Sequence, residues 1–208
     1  MHSNKFLILA SSSKNRLELL RSVKIEPDLI IAPNTDETPL PKEIPTTYCQ
    51  RITENKFQAA IKKLEKEKLP VNTYIVIVAD TIAACGRRLL NKSYDPEQIR
   101  KHLELISGRR HKLFTGVCCG LVEKGKLKTV RKKLVISIEK FKRLTKKEIE
   151  ELVHSRQCEG MAGGYTLNGL ASKYLQFMSG SYSNIIGLPL YETTQMLTSL
   201  GYDSITKK

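Results

Sequence analysis

The segment Tyr74-Ile75-Val76-Ile77-Val78-Ala79-Asp80-Thr81 decides the fold class, because it places an unbroken apolar run directly before a carboxylate and a hydroxyl. Such a run predicts a β-strand covered on both faces, since a strand exposed on one face alternates apolar with polar residues. Ligands of open α/β sheets bind outside the carboxyl ends of such strands. We therefore predict that Asp80 lies at the C-terminal tip of a buried strand and takes part in chemistry. Aspartate after a strand is also a frequent turn former or helix cap, so Asp80 alone does not decide the function.

Length and composition are typical of one α/β domain spanning residues 1–208. The chain is 40% hydrophobic and 27% charged and has no tryptophan, which is enough apolar material for a substantial core. The odd set of five cysteines contains no CxxC pair and no histidine at ligand spacing. Neither a disulfide framework nor a zinc site is indicated, and a reducing cytoplasm is the expected location.

The charge and the apolar segments limit the partners. The formal charge of +14 favours anionic partners such as nucleotides, nucleic acid or lipid head groups. Lysines outnumber arginines and are spread along the whole chain, which is more typical of a solvated surface than of a nucleic-acid reader. The run Phe6–Ala10 is too short for the core of a signal peptide or for a membrane span. We expect no membrane association.

The N-terminal region predicts a strand, a polar turn and a helix. Phe6–Ala10 reads as a buried strand, and Ser11–Ser13 supply N-cap candidates for a helix with leucines on one face. The positive end of that helix would face the same sheet edge as Asp80 and form a phosphate seat. Arg16, one turn into the helix, can add positive charge there.

The next region predicts a loop that carries acids and a helix that carries a lysine. A strand at residues 28–32 precedes a proline-rich loop from about 33 to 45, which contains Glu37. Thr46 is expected to cap a helix that runs to about Lys68. Lys56 falls on or beside the apolar stripe of this helix, where a lysine usually has an anionic partner or extends to solvent.

The C-terminal half predicts a hairpin between helices. Asp95-Pro96-Glu97 is a strong helix start, and the capping box that begins at Thr145 is another. Residues 111–122 and 127–138 form two β-prone stretches, which predict an extended hairpin and hence a mixed sheet. Pro189 and Gly201 bracket a final helix, while residues 160–187 lack periodicity and suit a binding loop.

Several short motifs occur in a fixed order from residue 6 to about 202. In order they are Leu9-Ala10-Ser11-x-Ser13-x-x-Arg16-x-x-Leu19-Leu20, Ala79-Asp80-Thr81, Ser107-Gly108-Arg109-x-His111, Thr115-Gly116-Val117, Ala162-Gly163 and Gly180-Ser181-Tyr182-Ser183-Asn184-x-x-Gly187-Leu188-Pro189-Leu190. The ordered set resembles the Maf family of nucleoside triphosphate pyrophosphatases. Each motif alone is weak, and the specificity comes from the order.

The resemblance implies a fold and a reaction. The fold would be a mixed β-sheet with flanking helices and two lobes around a cleft, an inosine-triphosphatase-like architecture that often forms homodimers. The reaction would cleave a nucleoside triphosphate between its α and β phosphates with the help of a divalent metal cation, Mg²⁺ or Mn²⁺.

The resemblance also assigns roles to individual residues. Asp80 matches the proton acceptor, and Glu37 with Asp80 matches the metal-binding acids. Ser11, Ser13, Arg16, Lys56 and Lys92 match positions around the triphosphate, and Arg16, Thr81 and Asn168 match positions associated with base choice.

Elementary chemistry is consistent with these assignments. Water is a poor nucleophile and a triphosphate is strongly anionic, so the site needs a carboxylate base and several cations. Mg²⁺ is usually bound by few carboxylates together with phosphate oxygens, which Asp80 and Glu37 can supply. His111 has no required role in this chemistry and is expected to pack or hydrogen-bond at the base of the hairpin. Tyr165 and Tyr182 would stack on a ligand or fill space.

The chain departs from the family pattern at several positions. The usual Pro-Arg-Arg, Gly-Lys-Pro and Asp-Lys are here Lys14-Asn15-Arg16, Asn91-Lys92-Ser93 and Gly160-Met161. Asn168 stands where the branch acting on dTTP and UTP has a glutamine, and this branch remains our prediction. The alternatives are a 7-methyl-GTP pyrophosphatase, a nucleotide sensor with weakened turnover, and a basic nucleic-acid-binding protein.

Overall fold

A computed structural model describes residues 5–203, which form one mixed sheet flanked by helices. The strands are β1 (Phe6–Ala10), β2 (Leu29–Ile31), β3 (Thr73–Cys85), β4 (Arg88–Leu90), β5 (Arg110–Glu123), β6 (Lys126–Phe141) and β7 (Leu175–Ser179). Their order is β2-β1-β3-β5-β6-β7, with β4 paired to β3. β2, β1 and β3 are parallel and the other pairs are antiparallel. The predicted mixed α/β sheet is confirmed, and residues 1–4 and 204–208 of the predicted domain lie outside the described residues.

Besides short 3₁₀ helices at Ala162–Gly164 and Leu170–Tyr174, the described chain contains six α-helices. They are α1 (Lys14–Ser22), α2 (Pro45–Leu64), α3 (Pro96–Ile106), α4 (Lys146–His154), α5 (Tyr182–Ile186) and α6 (Leu190–Ser199). The predicted start of α3 is confirmed, because the Asp95 side chain accepts a hydrogen bond from the Glu97 amide. The capping box at Thr145 and the final helix between Pro189 and Gly201 are also confirmed. Between residues 5 and 203, no helix has both the length and the apolar character needed to cross a membrane.

Two local predictions were wrong. α2 begins at Pro45 with Ile44 as its N-cap, and Thr46 lies inside the first turn. Proline is favoured at the first helical position because its missing N–H would have no partner there. Residues 160–187 are not a single binding loop, since they include β7 and α5. β7 pairs with the end of β6, a tertiary contact that the local sequence pattern does not reveal.

The predicted position of Asp80 at a strand tip is also wrong, because β3 continues to Cys85. β5 pairs with β3 along its whole length and stabilises this extension. On the other edge of β3, the register with β1 ends at Ile77 and the register with β4 begins at Ala83. Asp80 therefore lies where β3 has no strand neighbour on that edge within the described chain, just beyond the carboxyl end of β1. Residues 78–82 of β3 are called the open edge below.

Two packing regions lie along the sheet and meet near Asp80. The first surrounds β1 and the first half of β3, with α1 and α6 on one face and α2 on the other. The second combines Ala83, Leu113 and Phe141 with apolar residues of α3 and α4. The arrangement of two lobes around a cleft stays a prediction.

Gly116 sets how closely α2 approaches the sheet. Gly116 lies directly opposite Asp80 on β5, so both residues face α2. A Cβ atom on Gly116 would overlap the buried Thr53 side chain, whose own Cβ would be only 2.9 Å away. The absence of a side chain at Gly116 lets α2 pack close to the sheet. Lys56, one turn beyond Thr53, is thereby brought over Asp80.

We expect Gly116→Ala to destabilise the fold, because the new methyl group forces α2 away from β5. Overpacking of this kind costs about 1–3 kcal/mol of unfolding free energy, which urea denaturation can measure. Thr53→Ala in the same chain should recover part of that loss, since it removes the atoms that overlap. If the losses of unfolding free energy in the two single variants simply add in the double variant, the contact between position 116 and Thr53 is contradicted.

Candidate active site

The centre of the site is the Lys56 ammonium held between two carboxylates. Its Nζ lies 2.5 Å from Asp80 Oδ1 and 2.6 Å from Glu37 Oε1. Asp80 is 1% exposed, whereas the Glu37 side chain is 42% exposed. Lys92 Nζ lies 3.8 Å from Asp80 Oδ1 and 4.0 Å from Glu37 Oε2. Two acids and two lysines thus form one charged cluster, called the carboxylate–lysine cluster below.

Different elements supply each member of this cluster. Asp80 comes from β3, Lys56 from α2, and Lys92 from the segment after β4. Glu37 lies in the loop before α2, and its backbone oxygen accepts a hydrogen bond of 2.7 Å from the Tyr48 hydroxyl. The cluster therefore depends on the tertiary fold.

Thr81 and Arg16 occupy the opposite face of the sheet from Asp80, because successive side chains of a strand alternate. Arg16 is buried and donates from Nε to Gly187 O at 2.8 Å, from one terminal nitrogen to Ser11 Oγ at 2.9 Å, and from the other to Thr81 Oγ1 at 3.3 Å. Burial lowers the pKa of the Arg16 guanidinium, and the negative charge of Asp80 opposes that shift. Arg16 thus links β1, β3 and the segment that follows α5.

Two neighbouring cavities open at this edge of the sheet. The main cavity, of about 600 Å³, lies between the N-terminus of α1 and residues 160–167. The side cavity, of about 300 Å³, contains Asp80. Glu37, Thr81, Lys92 and Ala162 line both cavities. The cluster therefore stands at the junction of a large cavity and a smaller one, and the main cavity has the size of a small-molecule site.

Neutral groups lie beneath the cluster. The Cys49 thiol is 3.5 Å from Phe114 O and 3.8 Å from Asp80 O. Burial, with the nearby charge of Asp80, raises the pKa of Cys49 to about 12. The same two causes raise the pKa of Tyr48 to about 12. Both groups are neutral at physiological pH and act as hydrogen-bond donors.

Most of the predicted site residues are brought together. Asp80, Glu37, Lys56 and Lys92 form the cluster, and Ser11, Ser13, Arg16 and Thr81 line the main cavity. Asn168 does not line either cavity, is exposed, and accepts a hydrogen bond of 2.9 Å from the Tyr182 hydroxyl. Ser13 occupies the N-cap position of α1, but its side chain makes no capping hydrogen bond.

Sequence reasoning gave no role to two residues that hold this site together. Thr115 Oγ1 lies 3.0 Å from Thr81 Oγ1 and donates to Asn184 O at 3.0 Å. The buried Asn184 amide donates to Ser137 Oγ at 2.9 Å. Both residues belong to the ordered motifs, which gave a signal for them, but the motifs alone do not indicate that they connect β5 to α5.

His111 hydrogen-bonds inside the fold, as predicted. It is buried at the base of the hairpin, with Nε2 2.7 Å from the Tyr165 hydroxyl. The Tyr165 hydroxyl also donates to the buried Glu139 carboxylate. Burial and the charge of Glu139 raise the pKa of Tyr165 well above its usual value. Tyr165 is therefore a fixed, neutral part of the main-cavity wall.

The donor atoms at the cluster fit a hard divalent cation. Asp80 and Glu37 converge on one ammonium group, so their oxygens are close enough to share a cation as well. Among residues 5–203, no group of three or more His, Cys, Asp or Glu side chains could hold a metal ion by themselves. Two carboxylates with oxygens from water or a phosphate form the kind of shell that Mg²⁺ uses.

Comparison with known proteins identifies the relatives of this chain. The family model described as Maf-like protein matches residues 6–200. A nucleoside triphosphate pyrophosphatase of Rickettsia akari (strain Hartford) is 42% identical over 196 residues, covering 94% of each chain. A dTTP/UTP pyrophosphatase of Wolbachia sp. subsp. Drosophila simulans (strain wRi) is 42% identical, covering 93% of this chain and 92% of that protein. One from Agrobacterium fabrum (strain C58 / ATCC 33970) is 39% identical, covering 97% and 95%.

A solved structure also matches over most of its length. It is a nucleoside-triphosphatase described as a dITP/XTP pyrophosphatase from Mycobacterium abscessus, with 12% identity, 93% coverage of both chains and a TM-score of 0.32. A likeness at this score supports no statement about fold or function, and the predicted inosine-triphosphatase-like architecture stays a prediction.

We expect Lys56→Met to destabilise the protein, because it removes the closest cation from a buried carboxylate. Breaking such a pair costs about 3 kcal/mol of unfolding free energy, measured by urea denaturation. The double variant Lys56→Met/Asp80→Asn should be more stable than Lys56→Met alone, since the buried charge is gone. A Lys56→Met variant as stable as the wild type would contradict the pairing of Lys56 with Asp80.

Proposed function

The chain belongs to the Maf family, and we propose that it is a nucleoside triphosphate pyrophosphatase that hydrolyses dTTP and UTP to the monophosphate and pyrophosphate. The observation that carries this proposal is the carboxylate–lysine cluster at the open edge, with a nucleotide-sized cavity beside it. The names of the Wolbachia and Agrobacterium relatives support the choice of substrate.

Asp80 is the proposed general base. The acid is held in one orientation by Lys56 and lines the side cavity, where a water molecule can lie next to it. A positioned carboxylate that accepts the proton of an attacking water makes that water a better nucleophile. The water oxygen would form a bond to the α phosphorus while Asp80 accepts the proton. The bond between the α phosphorus and the bridging oxygen would break, and its electron pair would leave with pyrophosphate.

The cations and the helix end would bind the triphosphate. Lys56 and Lys92 place two ammonium groups at the junction of the cavities. The N-terminus of α1 borders the main cavity with Ser11 and Ser13, and its amide groups favour anions. These groups offset the negative charge of the ground state and of the transition state.

Asp80 and Glu37 are the proposed holders of a divalent cation, Mg²⁺ or Mn²⁺. When bound, such an ion would neutralise phosphate charge and lower the pKa of a coordinated water. Lys56 would then offset part of the negative charge of the two carboxylates from the α2 side. The homodimer and the cytoplasmic location expected from the sequence remain predictions.

Base choice is assigned to Arg16, Thr81 and Asn168. Arg16 and Thr81 border the main cavity and are linked by a hydrogen bond. Asn168 is tied to Tyr182 outside the cavity lining, so the pyrimidine preference depends on whether its amide reaches the bound base. Weak discrimination against other nucleotides, including 7-methyl-GTP, would follow if it does not.

The direct test is pyrophosphate release from a panel of nucleoside triphosphates with Mg²⁺. We expect dTTP and UTP to be the best substrates and EDTA to abolish turnover until Mg²⁺ or Mn²⁺ is restored. Asp80→Asn should lower kcat by about 100- to 10,000-fold, the contribution of a general base. An Asp80→Asn variant with wild-type kcat would refute the assigned base.

The matched control is Asp95→Asn, which makes the same chemical change at the start of α3, outside both cavities. Asparagine caps helices as well as aspartate does, so this variant should keep wild-type activity. Tight nucleotide binding by the wild type without any product would identify a sensor in place of an enzyme. Binding only to nucleic acid, with a steep loss of affinity in salt, would identify a nucleic-acid-binding protein.

Asn168→Gln tests the account of base choice. A glutamine amide reaches one methylene further from position 168 than the asparagine amide does, so we expect a larger preference for dTTP and UTP over the purine nucleotides. The readout is the ratio of kcat/KM values across the panel, with Tyr182→Phe as a companion that frees the native amide. Unchanged ratios in both variants would show that Asn168 has no part in selection.

A further inference from the structure

Tyr94 stands at the mouth of the main cavity with most of its ring in solvent. It is 76% exposed, lines the cavity and follows Lys92 by two residues. Within residues 5–203, the structure gives its hydroxyl no hydrogen-bond partner. A hydrogen-bonding group at the entrance, beside a lysine of the cluster, is therefore available to a ligand.

Tyr94 and Gly160 form one contact across this entrance. The Gly160 amide donates to Ser93 O at 2.9 Å, and a Cβ atom on Gly160 would lie only 2.8 Å from the Tyr94 hydroxyl oxygen. The hydroxyl thus takes the space that any side chain at position 160 would need. Two of the segments where the chain departs from the family pattern, residues 91–93 and 160–161, therefore meet at this contact.

Residues 160 and 161 bring no polar side chain to the mouth of the main cavity. Gly160 has no side chain, and Met161 is apolar. Both residues line the main cavity, as does Lys92. A triphosphate held by Lys92 would extend towards this wall, where Tyr94 supplies a hydroxyl donor. Hydrogen bonds from neutral donors to anionic oxygens are among the stronger ones in proteins.

We propose that Tyr94 is a further substrate-contacting residue, whose hydroxyl donates a hydrogen bond to the triphosphate at the part of the cavity mouth formed by Gly160 and Met161. This inference rests on the proposed function and assigns Tyr94 to the phosphate end of the site. Tyr94 would act in binding, with no part in proton transfer.

Calorimetric titration with inorganic tripolyphosphate and Mg²⁺ tests the contact directly, because this probe has neither base nor sugar. We expect Tyr94→Phe, which removes only the hydroxyl, to raise its Kd by about tenfold. The KM for dTTP should rise by a similar factor, while kcat stays within about twofold. Since the ring is exposed, the melting temperature should not change.

Tyr191→Phe is the matched control. Tyr191 is 71% exposed on α6 and lines neither cavity, so this variant should bind tripolyphosphate as the wild type does. A Tyr94→Phe variant with wild-type affinity for tripolyphosphate would overturn the inference, as would a wild type that does not bind tripolyphosphate. A variant that loses nucleotide affinity but keeps tripolyphosphate affinity would also overturn it, because the contact would then be to base or sugar.

A second pair of variants tests the shared space. Gly160→Ala should weaken tripolyphosphate binding in the wild-type chain, because its Cβ atom displaces the Tyr94 hydroxyl. In a Tyr94→Ala chain the same change should weaken tripolyphosphate binding by a smaller factor. Equal factors in the two chains would contradict the contact between Tyr94 and position 160. These experiments distinguish a failure of this inference from a failure of the proposed function. If the protein binds tripolyphosphate through Tyr94 but releases no pyrophosphate from nucleotides, the inference holds and the enzyme assignment is wrong.

Discussion

The ion pair between Lys56 and the buried Asp80 is the interaction on which the site depends. Removing a carboxylate from water costs several kcal/mol, and Asp80 is 1% exposed. A single positive charge at about 4 Å returns roughly 4 kcal/mol at the effective dielectric constant of a protein, about 20. One contact at 2.5 Å, supported by Lys92 at 3.8 Å, therefore offsets much of the cost of burying this carboxylate. The two lysines also make the junction of the cavities attractive to an anionic ligand.

The sheet explains why this acid is accessible despite its burial. β3 has β1 beside its first half and β4 beside its end, and the open edge between them falls at Asp80 and Thr81. Asp80 lines the side cavity and Thr81 lines both cavities, so the same open edge borders the two of them. Asp80 and Lys56 lie on the α2 side, and Thr81 and Arg16 lie on the α1 side. Gly116 completes the arrangement by allowing α2 to approach the sheet. Asp80 and Arg16 thereby reach neighbouring cavities from opposite faces of the sheet.

The sequence predicted the elements better than their ends. Proline and capping patterns located α3, α4 and α6, since these signals are local. The extension of β3 beyond Asp80 was missed because it depends on pairing with β5, whose partner residues lie 28 to 34 positions away in the chain. The family resemblance predicted that Asp80, Glu37, Lys56 and Lys92 belong to one site, but only the fold shows that Lys56 lies between the acids. No local pattern connects Asn168 to Tyr182 or Tyr94 to Gly160, because both contacts depend on how distant segments fold together.

A crystal structure with Mg²⁺ and a non-hydrolysable α,β-imido analogue of dTTP tests the central claim most directly. The account predicts the α phosphate next to Asp80, the outer phosphates between Lys56 and Lys92, and the base on the side of Arg16 and Thr81. A triphosphate bound away from the carboxylate–lysine cluster, or a base placed against Asp80, would contradict it.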